Sequence, residues 1–364
     1  MFSIKQVDTQ WQYWQIKSDL DFHVEKLHQD GDYIQGAVTR EFESKFAEFL
    51  MVDNFVGVGN GTDALEIILK GLKLPSGFEV IIPNMTFFAT YESVVNAGGI
   101  PKLIDINNNG VVEARSIEAA INERTFAVIV VHLTGFPCDV KSIQRVCKKY
   151  SIKLIEDACQ AHNTLIDGKP PGYFSDAAAF SFYPGKNLGG MGDSGGIATN
   201  NEFIAEEIRQ LRDHGRTSKY EHMQVGRNSR MDSIQAAVLL SKLDHLQSWQ
   251  ETRIRNANLL RSYLSGSNIK MQSELELPDK HGNHLFPIFV NFRDALFEHL
   301  RNKGIQAAIQ YPKTISQIVF REDVLQHSQM YAQQNLSLPI GEHLNEREIA
   351  RVASAVDEYL KLNE

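Results

Sequence analysis

Between Val56 and Thr199, short β-rich runs alternate with helix-length segments, and no other feature of the chain restricts its fold as much. The strand candidates are Val80–Pro83, Lys102–Ile106, Phe126–Leu133, Ile152–Asp157 and Ala178–Phe182. Helix-like stretches lie between them at Thr62–Leu72, Phe87–Gly98, Ser116–Glu123 and Val140–Tyr150. Strands separated by helices of this length must be joined by crossovers, which predicts an α/β fold with a mostly parallel, helix-covered sheet. From Asp232 onward Ile234, Ala237, Leu240, Leu243 and Leu246 recur at three-residue spacing and predict a long helix leading out of that domain. A strand-like run at His284–Phe292 and helical runs at Asp294–Gly304 and Asn345–Leu362 then suit a smaller α+β domain. The expected division is residues 1–250 for the large domain and 251–364 for the small one.

Composition narrows the functional classes. The 364 residues carry a formal net charge of −8, which argues against nucleic acid or an anionic membrane as the main partner. No run of apolar residues reaches the roughly 18 needed for a spanning helix. The opening MFSIKQVDTQWQYW has no basic region followed by an apolar one, so it does not read as a secretory signal. Three cysteines, Cys138, Cys147 and Cys159, without CxxC spacing, point away from a zinc site or disulfide framework and toward a reducing cytoplasm. They read most simply as small buried residues.

Three segments carry the chemistry. The first, Gly57–Leu65 (GVGNGTDAL), is a glycine-rich turn opening a helix, where backbone N–H groups can meet a phosphate. Glu79 lies at a distance that loosely echoes a dinucleotide-binding fold, but the third glycine of that motif would fall at Thr62, so the spacing fails. Taken alone, the turn is equally a structural turn or a phosphate cradle. The second, Ile152–His162 (IKLIEDACQAH), ends a strand on Glu156 and Asp157, and strand C-termini are where α/β sheets bind ligands. Asp157 could cap a helix or pair with a protonated pyridine nitrogen, and Gln160 could bond a phenolic oxygen beside it. Glu156 is expected to make structural contacts.

The third segment, Ala179–Asn200 (AFSFYPGKNLGGMGDSGGIATN), places Lys186 in a turn crowded by Gly189, Gly190, Gly192, Gly195 and Gly196. These glycines are expected to permit tight turns that bring Lys186 into a pocket. A desolvated lysine has a lowered pKa and can attack an aldehyde to form a Schiff base. A nucleotide phosphate loop is excluded because Lys186 is followed by Asn187 rather than Ser or Thr, and the upstream glycine is absent.

With these segments in place, the chain resembles the DegT/DnrJ/EryC1/StrS family of nucleotide-sugar aminotransferases. The likeness runs in order through NGTDALEIIL, PNMTFFAT, VHLTGFP, EDACQAH, SFYPGKNLGGMGDSGG, RDHG and GRNSRMDSIQAA. It implies the aspartate-aminotransferase type of pyridoxal-phosphate (PLP) transferase fold. It also implies that Lys186 carries PLP as a Schiff base and moves the proton, that Asp157 holds the pyridine nitrogen and that Gln160 bonds O3′. Phe87 would stack on the ring, and Gly61, Thr62, Asp63 (through its backbone amide) and Ser181 would surround the phosphate. Asn228, of the Gly-x-Asn-x-Arg segment, would reach the phosphate of a neighbouring subunit, which makes a homodimer part of the site. One branch of the family has histidine at the lysine position and dehydrates its substrate; Lys186 favours transamination.

The resemblance further implies L-glutamate as amino donor and a nucleotide-linked ketosugar as acceptor. The subgroup it approaches most acts on dTDP-linked 3-keto-6-deoxyhexoses and yields 3-amino-3,6-dideoxy sugars. Tyr183, His222, Arg230 and Tyr311 are the candidate substrate-side groups. Tyr183 could instead pack on the cofactor turn, and Arg230 could form a structural ion pair. Two departures bear on specificity: Gln310-Tyr311-Pro312 stands where the family often has His-Tyr-Pro, and Phe136 where many relatives have glutamine. A 4-keto-sugar aminotransferase, a PLP-binding regulator and a nicotinamide-dependent oxidoreductase are the competing readings.

Overall fold

The computed structural model describes residues 2–363. Seven strands form the central sheet: β1 (Asn54–Val58), β2 (Glu79–Pro83), β3 (Ile100–Ile104), β4 (Thr125–Val131), β5 (Lys153–Asp157), β6 (Ala177–Ser181) and β7 (Gly195–Thr199). Their order is β1-β7-β6-β5-β4-β2-β3. All pairings are parallel except those of β7, which runs against both β1 and β6. No helix separates β6 from β7, only the turn that carries Lys186, so the chain doubles back.

Side chains alternate between two apolar faces, which is why both are covered. Val80, Ile82, Ala127, Ile129, Ala177 and Ala179 pack with α3 (Gly61–Gly71) and α7 (Glu202–Leu211). Their neighbours Ala178 and Phe180 face α2 (Ala37–Phe49) and α8 (Ser233–Leu243). Ile81, Val128 and Val130 face α6 (Val140–Tyr150) and Ile117 of α5 (Ala114–Ala120). Burial on both faces explains strands that read as continuous apolar runs rather than as alternating ones. The glycines near Lys186 act by leaving space, not by unusual dihedrals, since none of them lies in the left-handed region. A Cβ on Gly196 would sit 2.1 Å from the Phe55 ring, and one on Gly195 would sit 2.4 Å from the Asn60 backbone.

The long helix expected from Asp232 is broken at Asp244–His245 into α8 and α9 (Leu246–Leu264). Ile234, one of the apolar positions in that pattern, is 42% exposed. The first half of α9 places Trp249 against α1 (Thr9–Asp30), and its second half places Ala257, Leu260 and Leu264 in a separate core. That core also holds the three-stranded antiparallel sheet β10 (Lys270–Met271), β11 (Phe286–Phe289) and β12 (Asn335–Leu338), with α10 (Arg293–Asn302) and α13 (Glu346–Asn363). The N-terminal Ile4 is buried in it and bridges Ile305, so the start of the chain packs with its end.

Candidate active site

The C-terminal ends of β1, β2, β5 and β6 converge on one edge of the sheet. After β1, Asn60 caps α3 by accepting the Asp63 N–H at 2.8 Å. The expected phosphate donor at Asp63 is therefore already taken. The Gly61 and Thr62 N–H groups have no protein partner among the described residues and stand free at the helix N-terminus, where an anion is favoured. A Cβ on Gly61 would lie 2.8 Å from Cys159 Sγ and 2.9 Å from Ser181 Cβ. Glycine is thus the residue that lets this turn close on the ends of β5 and β6, and Gly61, Thr62 and Ser181 come together. The Asp63 carboxylate turns to Arg227 at 2.8 Å and to the Ser229 hydroxyl at 2.6 Å.

Asp157 is buried at the end of β5. It accepts the Thr90 hydroxyl at 2.9 Å and the Cys159 N–H at 3.2 Å, and Thr86 bonds Thr90 in turn at 2.8 Å. One oxygen is held by each donor, so the carboxylate is oriented and still has free acceptor positions. Its neighbour Glu156 faces the other way and accepts from the Ser175 hydroxyl, the Gly172 N–H and His132. This is the structural role expected of it. Gln160 accepts the Thr134 N–H at 2.6 Å and donates to the Tyr311 hydroxyl at 3.2 Å, keeping its second N–H available. Thr90 and Thr134 were missed by sequence reasoning. The Thr86–Thr90 pair was legible as two hydroxyls four residues apart, but Thr134 carried no signal.

Lys186 sits in the turn after β6, its N–H donating to Tyr183 O at 2.8 Å. Its amine has no hydrogen-bond or ion-pair partner among the described residues. Burial lowers its pKa below the ordinary lysine value, against the opposing pull of Cys159 and Asp157. Burial also raises the Cys159 thiol, and the Asp157 charge adds to that. Cys138 and Cys147 are the small buried residues expected, whereas Cys159 lies in the site.

Phe87, at the start of α4 (Phe88–Asn96), is 56% exposed and pairs with Tyr311 at 5.5 Å between ring centres. It is not a core aromatic. Tyr311 comes from the C-terminal part of the chain, and two bonds to Asn84 anchor its segment: Ile315 N–H to the backbone O at 2.9 Å and Ser316 N–H to the side-chain Oδ1 at 2.8 Å. Tyr183 is 58% exposed beside Gly185. Arg230 forms an ion pair with Asp213 at 2.9 Å. His222 is exposed on a two-stranded hairpin, β8 (Arg216–Ser218) and β9 (Glu221–His222), where its Nδ1 contacts His214 O. Asn228 is exposed, and its amide has no partner among the described residues.

Two histidines, the buried His162 and the half-buried His281, remain neutral. His162 lies between the Phe180 and Phe182 rings with neither nitrogen bonded, and burial, then the Lys186 charge, lowers its pKa to about 3. His281 accepts the Asn283 N–H on Nδ1, and burial, then the Arg261 charge, lowers it likewise to about 3. In the unfolded chain each takes up its proton near pH 6.5. Between those values the unfolded state binds more protons, so stability falls as pH drops, by about 1.4 kcal/mol per unit for each histidine. Urea midpoints measured from pH 7 to 4 should show this slope, and His281→Gln should flatten it by about one proton. An unaltered slope in His281→Gln would contradict the neutral assignment.

The residues present suit PLP. An oriented carboxylate matches a pyridine nitrogen, free helix-terminal N–H groups match a phosphate, and an unpaired amine of lowered pKa matches an aldehyde. The class that fold and site define is that of the PLP-dependent aminotransferases. The chain belongs to the DegT/DnrJ/EryC1/StrS aminotransferase family, whose sequence model matches residues 15–357. It is 36% identical to the dTDP-3-amino-3,4,6-trideoxy-alpha-D-glucose transaminase of Streptomyces venezuelae, over 97% of this chain and 95% of that one. It is 35% identical to a UDP-N-acetyl-3-dehydro-alpha-D-glucosamine 3-aminotransferase of Acidithiobacillus ferrooxidans, over 97% of each. The fold superposes on S. venezuelae DesV, solved with a ketimine intermediate, with a TM-score of 0.95 and 35% identity across 99% of both chains. NtdA of Bacillus subtilis, solved with bound PMP, gives 0.88 and 30%, over 95% of this chain and 82% of that one.

Proposed function

We propose that the protein transfers an amino group from L-glutamate to C3 of a dTDP-linked 3-keto-6-deoxyhexose, giving a dTDP-3-amino-3,6-dideoxyhexose. The observation that carries the reading is the unpaired Lys186 amine beside the Asp157 carboxylate and Gln160. The similarity to the S. venezuelae transaminase supports the position and the nucleotide. Bound PLP supplies an aldehyde carbon that takes up amines and a ring that accepts the electron pair of a broken C–H bond.

The chain's own residues do the rest. Lys186, less basic than an ordinary lysine, is available as the neutral amine that takes a proton from the donor carbon and returns it one atom away. Asp157, held by Thr90, keeps the ring nitrogen protonated. Gln160 would donate to the ring oxygen with the N–H that Tyr311 does not use. Gly61, Thr62 and Ser181 would hold the phosphate, Asp63 fixes the turn rather than donating, and Phe87 would cover the ring. Tyr183, Tyr311, His222 and Arg230 are the groups proposed to meet the sugar nucleotide, with Arg230 set by Asp213. The large and small domains divide within α9, near residue 250. The three free thiols suit a cytoplasmic setting.

Incubation with 3-keto and 4-keto dTDP-sugars and glutamate tests the substrate: the 3-amino product is expected, and amination at C4 alone would replace this reading with its nearest rival. A bound chromophore without amine transfer would mean a regulator.

The exposed, partnerless Asn228 amide supports a homodimer in which Asn228 meets the phosphate of the other subunit. Asn228→Ala should then weaken PLP binding by about tenfold. Mixing it with Lys186→Ala subunits should restore about a quarter of the sites, because half the dimers are hybrids with one intact site. No recovery on mixing would place Asn228 outside the partner's site.

A further inference from the structure

The Lys186 side chain touches no hydrogen-bonding partner, so its direction is set by what holds its backbone. The next residue, Asn187, is buried and fully engaged. Its Nδ2 donates to Gly282 O at 2.8 Å and to Gln250 Oε1 at 3.4 Å, and its Oδ1 meets His284 Nδ1 at 3.1 Å. Because Nδ2 must face the two acceptors, Oδ1 is the acceptor toward the histidine. His284 is therefore the Nδ1–H tautomer. Burial, with the nearby Lys186 charge next, pushes its pKa well below the usual value, in keeping with that neutral form.

The same short segment, His281–Leu285, also reaches the other side of the site. Gly282 N–H donates to Gly135 O at 2.8 Å, and the His284 and Leu285 N–H groups donate to Thr134 O at 3.1 and 3.2 Å. Thr134 in turn holds Gln160 through its own N–H. One strap of backbone thus fixes Lys186 by way of Asn187 and Gln160 by way of Thr134. Arg253 anchors the strap, donating to Asn283 O and His284 O while pairing with the buried Glu342.

We propose that Asn187, seated on His284, is a positioning residue that aims Lys186 at the reacting carbon, and that the strap keeps Lys186 and Gln160 in one fixed relation. This rests on Lys186 being the cofactor-bearing lysine. A packed residue of purely structural value would change stability alone. A positioning residue changes the environment and reach of the amine.

Four measurements on the PLP-loaded protein test the idea: borohydride labelling mapped to peptides, the pH midpoint of the visible absorption, kcat and KM for glutamate, and thermal stability. Asn187→Ala should stay folded and label at Lys186, move the absorption midpoint by about one pH unit and lower kcat about 100-fold, with KM nearly unchanged. His284→Leu, which removes the donor, should behave alike, and His284→Asn, which keeps a donor in the Nδ1 position, should approach the wild type. If Asn187→Ala does not fold, the two His284 variants decide. Loss of kcat in proportion to thermal stability with an unmoved midpoint would overturn the proposal, as would folded variants of unaltered kcat. Wild-type protein labelled on another lysine would instead overturn the assignment of Lys186 itself.

Discussion

Lys186→Ala should abolish amine transfer, lowering kcat by about 10⁴-fold or more while leaving the fold intact. The size follows from two tasks lost together. On the proposed reading, the lysine is both the amine that an incoming amino acid displaces and the base that moves the proton within the site. No neighbour can replace it: Cys159 is held protonated by burial and the Asp157 charge, and His162 sits in an aromatic slot behind the strand end. Lys186→Arg should be nearly as inactive, because guanidinium remains charged and cannot accept the proton. Single-turnover loss of the visible chromophore with glutamate is the direct measurement. Borohydride should label Lys186 in the wild type and nothing in the alanine variant. Transamination at more than about one hundredth of the wild-type rate in Lys186→Ala would remove this residue from the mechanism.

What was legible in the sequence were features confined to a few consecutive residues. Asp157 and Gln160 stood out because they follow a strand end at short spacing, and Lys186 because glycines crowd its turn. The parallel order of β2 to β5 followed from the intervening helices; β6 keeps that direction after a helix-free crossover at residues 158–176, and β7 reverses after the turn that carries Lys186. What escaped was whatever depends on distant segments meeting. Thr90 reaches Asp157 across 67 residues, and His284 reaches Asn187 across 97. Neither separation leaves a local pattern. Periodicity also misled at Ile234, where an apolar residue in helical register is exposed on the surface. The break between α8 and α9 was hidden for a related reason: Leu246 falls in step with Leu243 even though two residues between them interrupt the helix.

Asp157→Asn should lower kcat by about 10³-fold while PLP remains bound through Lys186 and the phosphate contacts. The amide is nearly isosteric and can keep its one oxygen on the Cys159 N–H while its NH2 group donates to the Thr90 hydroxyl, but it carries no charge to keep the ring nitrogen protonated. A bound ring would then be neutral and a poorer acceptor of electrons from the donor carbon. Both half-reactions should suffer equally, since both would draw on the same charge at Asp157. Thr90→Val probes the support separately: with one carboxylate oxygen no longer held, kcat should fall by about tenfold, and the charge remains. The order is the diagnostic. If Thr90→Val is as damaging as Asp157→Asn, orientation rather than charge is what Asp157 contributes. Asp157→Asn transaminating within about tenfold of the wild type would mean that the ring nitrogen is held by another group.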